Sequence, residues 1–167
     1  MNVFLRRSDV LKIACVAQIV NVIAPILARR NSLVKQTIFF PFQLFSKYAQ
    51  GVALDVNVKS PMYATKQYGD LPLLDVSVSY DADYGQSAVF VVNRSEQEPL
   101  TSIFTWQGAA PAAIQTIYQM SNKNPKAVNN FDQPTAVVPT QEKGMEIING
   151  SVTLSLPPMS FTVLVAK

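Results

Sequence analysis

From Val52 to Lys167 the chain alternates in hydropathy and breaks about every ten residues, and this rhythm constrains its fold more than any other feature. The segments GVALDVNVKSP, LPLLDVSVSYD, SAVFVVNRS, PLTSIFTWQG, AAIQTIYQMS, EIINGSVTLSLPP and SFTVLVAK follow one another at short spacing. Between them lie turn-forming residues such as Asp81, Asp83, Gly85, Asn122, Asn124, Gly144 and Asn149. Seven strand-like segments so punctuated predict an antiparallel β-sandwich. Val76, Val78 and Tyr80 set against Ser77 and Ser79 read as a strand with one buried face.

The first fifty residues have a different texture. The run KIACVAQIVNVIAPILARR is rich in Val, Ile and Ala, is interrupted by Gln18 and Asn21, and is closed by Arg29 and Arg30. A signal peptide would need an unbroken apolar stretch of about 7 to 15 residues after a basic start, and Asp9, Lys12, Gln18 and Asn21 spoil that pattern. A membrane span would need about 20 predominantly apolar residues, so none is expected. What remains from Val10 to Ile26 reads as a strand apolar on both faces, the kind found in covered parallel sheets. MNVFLRR before it reads as the last turns of a helix. QTIFFPFQLFSKYAQG after it reads as a helix with Pro41 in its first turn, Phe42, Phe45, Tyr48 and Ala49 on one face, and Gly51 as its stop. A parallel strand needs neighbours on either side, and no other βα pattern exists here to supply them. Residues 1–51 are therefore expected to be the end of a larger α/β domain, and residues 52–167 a sandwich domain.

Composition limits the chemistry. There is no histidine and a single cysteine, which removes a disulfide framework, a Cys/His zinc site and a His-based catalytic pair from this chain. Cys15 lies in the apolar run and is expected to be a small buried hydrophobe. The net charge of +3 is spread thinly, without the basic face of a nucleic-acid binder, so no nucleic-acid partner is expected. Asp81, Asp83 and Gly85 imitate the start of a calcium loop but lack its remaining ligands, and a hairpin turn is expected instead. Trp106, Tyr118 and Phe131 are the aromatics that could stack on sugars, with packing as the plainer reading. Glu96 with Glu98, and Glu142 with Glu146, read as solvated charges in or beside turns rather than a catalytic pair.

Six strings carry a family resemblance along nearly the whole chain: RRSDVLKIACVAQIVNVIAPI, KQTIFFPFQLFSKYAQGVAL, SPMYATKQYGDLPLLDVSVSYD, FVVNRSEQEPL, KAVNNFDQP and LPPMSFTVLV. In order and spacing they resemble the C-terminal third of α-L-arabinofuranosidases of glycoside hydrolase family 51. The resemblance implies the end of a (β/α)8 catalytic barrel over residues 1–51 followed by a jelly-roll β-sandwich, with LKIACVAQ as the eighth strand. Active sites of such barrels lie at the C-terminal ends of their strands. Gln18 would sit at that end, where the family has a glutamine that hydrogen-bonds the bound arabinose. The alternative is that its amide satisfies neighbouring backbone groups. Asn21 is expected to be structural.

The family's two catalytic glutamates, one following an asparagine in Gly-Asn-Glu and one preceding a tryptophan in Asp-Glu-Trp, have no counterpart in this sequence. Met1 matches an internal family position, so the expectation is a C-terminal piece, inactive alone, of a retaining enzyme that releases terminal α-L-arabinofuranosyl residues from arabinan or arabinoxylan. The alternative is an accessory sandwich module for carbohydrate binding or barrel packing. No cofactor or metal is implied. The partners implied are arabinose-containing saccharides and the catalytic barrel. Detached from the barrel, the apolar run is expected either to fold back on the sandwich or to mediate self-association into a homo-oligomer. One departure is LARRNSLVKQT, short and basic where many family members carry a Gly-rich, Trp-containing loop bordering the active site.

Overall fold

The computed structural model describes residues 1–167. In chain order the elements are α1 (Asn2–Arg6), β1 (Ile26–Arg29), β2 (Ser32–Lys35), α2 (Phe39–Tyr48), β3 (Val52–Leu54), β4 (Met62–Thr65), β5 (Gly69–Pro72), β6 (Leu74–Asp81), β7 (Gln86–Asn93), β8 (Leu100–Thr105), β9 (Ala113–Met120), β10 (Thr140–Glu146), β11 (Ser151–Leu156) and β12 (Ser160–Ala166). Six strands form one antiparallel sheet in the order β10-β9-β12-β7-β6-β3, and β8 pairs with β11 in a second. Val76, Val78, Val89, Val91, Ile114, Ile117 and Leu164 of the large sheet meet Val152 and Leu156 of the small one, with Phe104 and Trp106 packed against them. This is the expected sandwich.

The large sheet is covered on its other face too. Leu44 and Phe45 of α2 pack on Ala88, Phe90, Phe161, Val163 and Val165, with Tyr48 and Tyr118 at the margin. Double coverage explains why β7 and β12 read as nearly continuous apolar strings: Val89 and Val91 serve one core while Ala88 and Phe90 serve the other.

Coverage also corrects the reading of β6. Ser77 and Ser79 do not face solvent; they are 0% and 1% exposed. The Ser77 hydroxyl donates to Asn2 Oδ1 at 2.9 Å and the Ser79 hydroxyl to the Tyr48 carbonyl at 3.0 Å, so each buried polar group has a partner supplied by a helix. Asn2 in turn donates to the Asp75 carbonyl, and the Asp75 carboxylate sits between Arg6 and Arg94 at 2.6 and 3.2 Å. These bonds fasten α1 to β6.

Two further strand readings change. Residues 140–146 form an edge strand, β10, so Glu142 and Glu146 lie on it rather than beside a turn, opposite Ile117 and Ala113 of β9. Charged side chains on an exposed edge discourage further strand pairing. Gly144, expected in a turn, lies within β10 where a Cβ would collide with the Ile114 carbonyl oxygen. The β4–β5 hairpin has too little alternation to be read from sequence. The Asp81–Gly85 segment is the expected hairpin turn, with the Asp83 amide donating to Asp81 Oδ1 at 3.1 Å.

The predicted strand from Val10 to Ile26 does not form. Residues 11–19 have no regular structure, and only Val20 makes an isolated parallel bridge to Ile26. No strand lies alongside to accept its hydrogen bonds, and a parallel strand without neighbours gains nothing for its ordering entropy. Cys15, expected to be buried, is exposed for the same reason. The chain then enters the β1–β2 hairpin, which the long loop before β10 secures: Asn129, 2% exposed, donates to the Lys35 and Val137 carbonyls, and the Arg29 guanidinium lies 4.2 Å over the Phe131 ring. No helix is long and apolar enough to cross a membrane.

Candidate functional site

Helix α2 carries two stripes. Leu44, Phe45 and Tyr48 face the sandwich. Phe39, Phe42, Gln43 and Ser46, spaced at i, i+3, i+4 and i+7, face the opposite way. Phe42 thus does not share the Phe45 face as predicted; it lies one step round the helix.

The second stripe forms one wall of a groove of about 460 Å³, and the other wall is the segment from Ala14 to Ile19 together with Pro25 and Ile26. Gln18 lines this groove opposite Gln43. Lys47 supplies a positive charge at its margin, and no carboxylate lines it. The local fold follows from its anchors. Ala24 is fully buried, and Gln36 closes over it by donating from Nε2 to the Ala24 carbonyl at 2.8 Å and from its backbone amide to the Pro25 carbonyl at 2.8 Å. The Lys35 ammonium lies 4.8 Å over the Phe39 ring.

Beside this floor the apolar wall is left open to solvent. Ile13, Ile19 and Val22 are 79%, 73% and 80% exposed. Gln18 itself is exposed, with φ +58°. The side-chain hydrogen bonds of this turn are made by Asn21 and Gln36, which leaves the Gln18 amide free for an incoming group. Gln43 and Phe42 belong to the same groove; Gln43 was missed from sequence and Phe42 was put on the wrong face, although the i, i+3, i+4, i+7 stripe beginning at Phe39 was there to find.

The other candidates do not assemble into a site. Trp106 packs against the core between the sheets, Tyr118 lies against α2 on the opposite face, and Phe131 is under Arg29, so the three aromatics form no shared platform. Tyr118 and Tyr48 share a hydroxyl hydrogen bond of 2.8 Å, and burial together with that bond pushes the Tyr118 phenol up to about 12. Glu96 and Glu98 border a second depression of about 440 Å³ with Tyr63 and Arg94, but both glutamates are exposed on a loop. No three His, Cys, Asp or Glu side chains converge as a metal site would require.

Fold and groove together define an antiparallel β-sandwich domain with a helix on its outer face and an open apolar flank. The sequence comparison is specific: a family model described as the α-L-arabinofuranosidase C-terminal domain matches residues 1–160, and the chain belongs to that family. An intracellular exo-α-(1→5)-L-arabinofuranosidase from Streptomyces lividans is 37% identical over 158 residues, which are 94% of this chain and 24% of that protein. The enzyme of the same description from Halalkalibacterium halodurans is 33% identical over 161 residues, 96% of this chain and 32% of that one. A solved family 51 α-L-arabinofuranosidase from Bifidobacterium longum aligns with a TM-score of 0.88 at 29% identity, over 99% of this chain and 33% of its own. The chain thus spans about a quarter to a third of the length of the relatives it matches.

Proposed function

We propose that this chain completes an α-L-arabinofuranosidase: residues 1–51 supply the last elements of a (β/α)8 catalytic barrel, residues 52–167 form the sandwich that carries them, and Gln18 reaches the bound arabinosyl unit. One observation carries this reading. A strand-length apolar segment, Leu11 to Gln18, lies largely exposed with a free amide at its far end, beside a groove whose other wall is a helix bonded to the sandwich. Such a segment is stable as a strand only between two parallel neighbours, and in a barrel its C-terminal end opens onto the active site. The Gln18 amide can donate to one sugar hydroxyl and accept from another.

In this reading the barrel's own carboxylates do the chemistry. Two glutamates about 5 Å apart would act in retaining hydrolysis, one attacking the anomeric carbon and the other protonating the leaving oxygen and then activating water. Terminal non-reducing arabinofuranosyl residues of arabinan or arabinoxylan would be the substrates. A free-standing carbohydrate-binding module is the weaker reading, because the aromatics do not converge.

The test is hydrolysis of 4-nitrophenyl α-L-arabinofuranoside by this chain and by the same chain joined to a family catalytic barrel. Activity is expected only in the joined protein. Turnover by this chain alone would overturn the proposal and direct attention to Glu96 and Glu98.

A further inference from the structure

We propose that Asn21 is the positioning residue for Gln18, holding the strained turn that aims the Gln18 amide into the groove; this rests on the reading of Gln18 as a sugar-binding residue. Within five positions, Gln18, Asn21 and Val22 take φ values of +58°, +63° and +59°. An asparagine tolerates that left-handed conformation, whereas a β-branched valine does not adopt it without compensation. Such strain persists only where the surroundings over-determine the backbone, and it marks places where geometry is put to use.

Asn21 supplies the compensation. Its amide N–H donates to the Ile26 carbonyl at 2.8 Å, its carbonyl accepts from the Ala24 amide at 3.0 Å, and its side-chain Oδ1 accepts from the Ala28 amide at 2.8 Å. All three partners lie at the entrance to the β1–β2 hairpin, which Asn129 and Gln36 fix to the rest of the molecule. The turn is thereby clamped from its C-terminal side, while residues 11–19 before it have no regular structure. Clamping decides where Gln18 points: three residues upstream of Asn21, it lines the groove across from Gln43. The Oδ1 bond is the one contact that only an asparagine or aspartate at position 21 can make while keeping a left-handed backbone.

The experiment measures KM and kcat on 4-nitrophenyl α-L-arabinofuranoside in the joined protein, for Q18A, N21A, N21G, N21D and the double variant Q18A/N21A. N21A and N21G are each expected to raise KM about tenfold with kcat changed less than about twofold, the size of one lost hydrogen bond. N21D keeps both the acceptor and the backbone preference and should restore KM to within about twofold of the parent. In the Q18A background N21A should add nothing, because its effect passes through Gln18. A silent Q18A would overturn the sugar-binding reading and this inference with it. An affected Q18A with a silent or fully additive N21A would overturn this inference alone. N21G decides the matter if N21A does not fold. Amide hydrogen exchange on this chain gives an independent readout: Ala28 should exchange slowly, and faster in N21G, and rapid exchange in the parent would overturn the proposed clamp.

Discussion

Tyr118 shows how one side chain ties the helical layer to the sheet. Its ring packs at the edge of the α2 interface, 5.6 Å from the Tyr48 ring, and the two hydroxyls share a bond. Removal from water is the main reason its phenol is raised from 10.0 to about 12, and the Tyr48 hydrogen bond adds to it. The folded state keeps this proton over the range in which the unfolded chain, titrating near 10, has released it. The associated stability is complete below the unfolded pKa and is lost as pH rises through the folded one. Urea midpoints should therefore fall between about pH 10 and 12, and Y118F should flatten that fall while costing about 1 kcal/mol at neutral pH through the unpaired Tyr48 hydroxyl. Identical slopes in both proteins would show that the pair does not form.

Among elements, α2 decides how the two halves of the chain are joined. Phe45 stacks on Phe90 with ring centroids 3.9 Å apart and on Phe161 at 5.9 Å, and it is 7% exposed. Truncation leaves a cavity that a sheet beneath and a helix above cannot close, so F45A should cost about 3–5 kcal/mol in urea unfolding and F45L less than about 1.5. A cost below about 1 kcal/mol for F45A would mean that the helix is not docked in solution. The helix was legible in the sequence because Pro41, the apolar spacing, Lys47 and Gly51 all agree on its limits. The central strands β7 and β12 were legible for the same reason of agreement, since apolar content and turn residues coincide. Strand β10 was not, because an exposed edge strand such as TQEKGME carries no hydropathy signal. Ser77 and Ser79 were misassigned because alternation reports polarity, and a buried hydroxyl with a helix-borne partner is as polar as an exposed one. Gln18 could be singled out by its place in the apolar run and by family resemblance. The groove around it could not, since it depends on which side of α2 meets the sheet and which side is left over.

At the scale of the molecule the sandwich buries its apolar side chains in cores on both faces of its large sheet, whereas the apolar side chains from Val10 to Ile23 are left largely uncovered. Val10, Ile13, Ile19, Val22 and Ile23 are each more than 60% exposed and lie within fourteen residues of one another, a concentration of uncovered apolar surface that soluble monomers rarely tolerate. In isolation the chain is expected to bind an apolar dye and to sediment with a concentration-dependent increase in size, as these side chains find one another across molecules. Replacing Ile13, Ile19, Val22 and Ile23 with serine should abolish both effects. The same replacement should leave the urea midpoint nearly unchanged, because those residues bury little surface in the folded chain and so contribute little to its stability. The joined protein with a catalytic barrel should respond in the opposite way, losing stability with the same four serines, since there the segment would lie between two strands. A strictly monomeric chain that binds no dye would show that the segment folds back onto the α2 groove in solution, and would remove the open flank on which the proposed barrel contact depends.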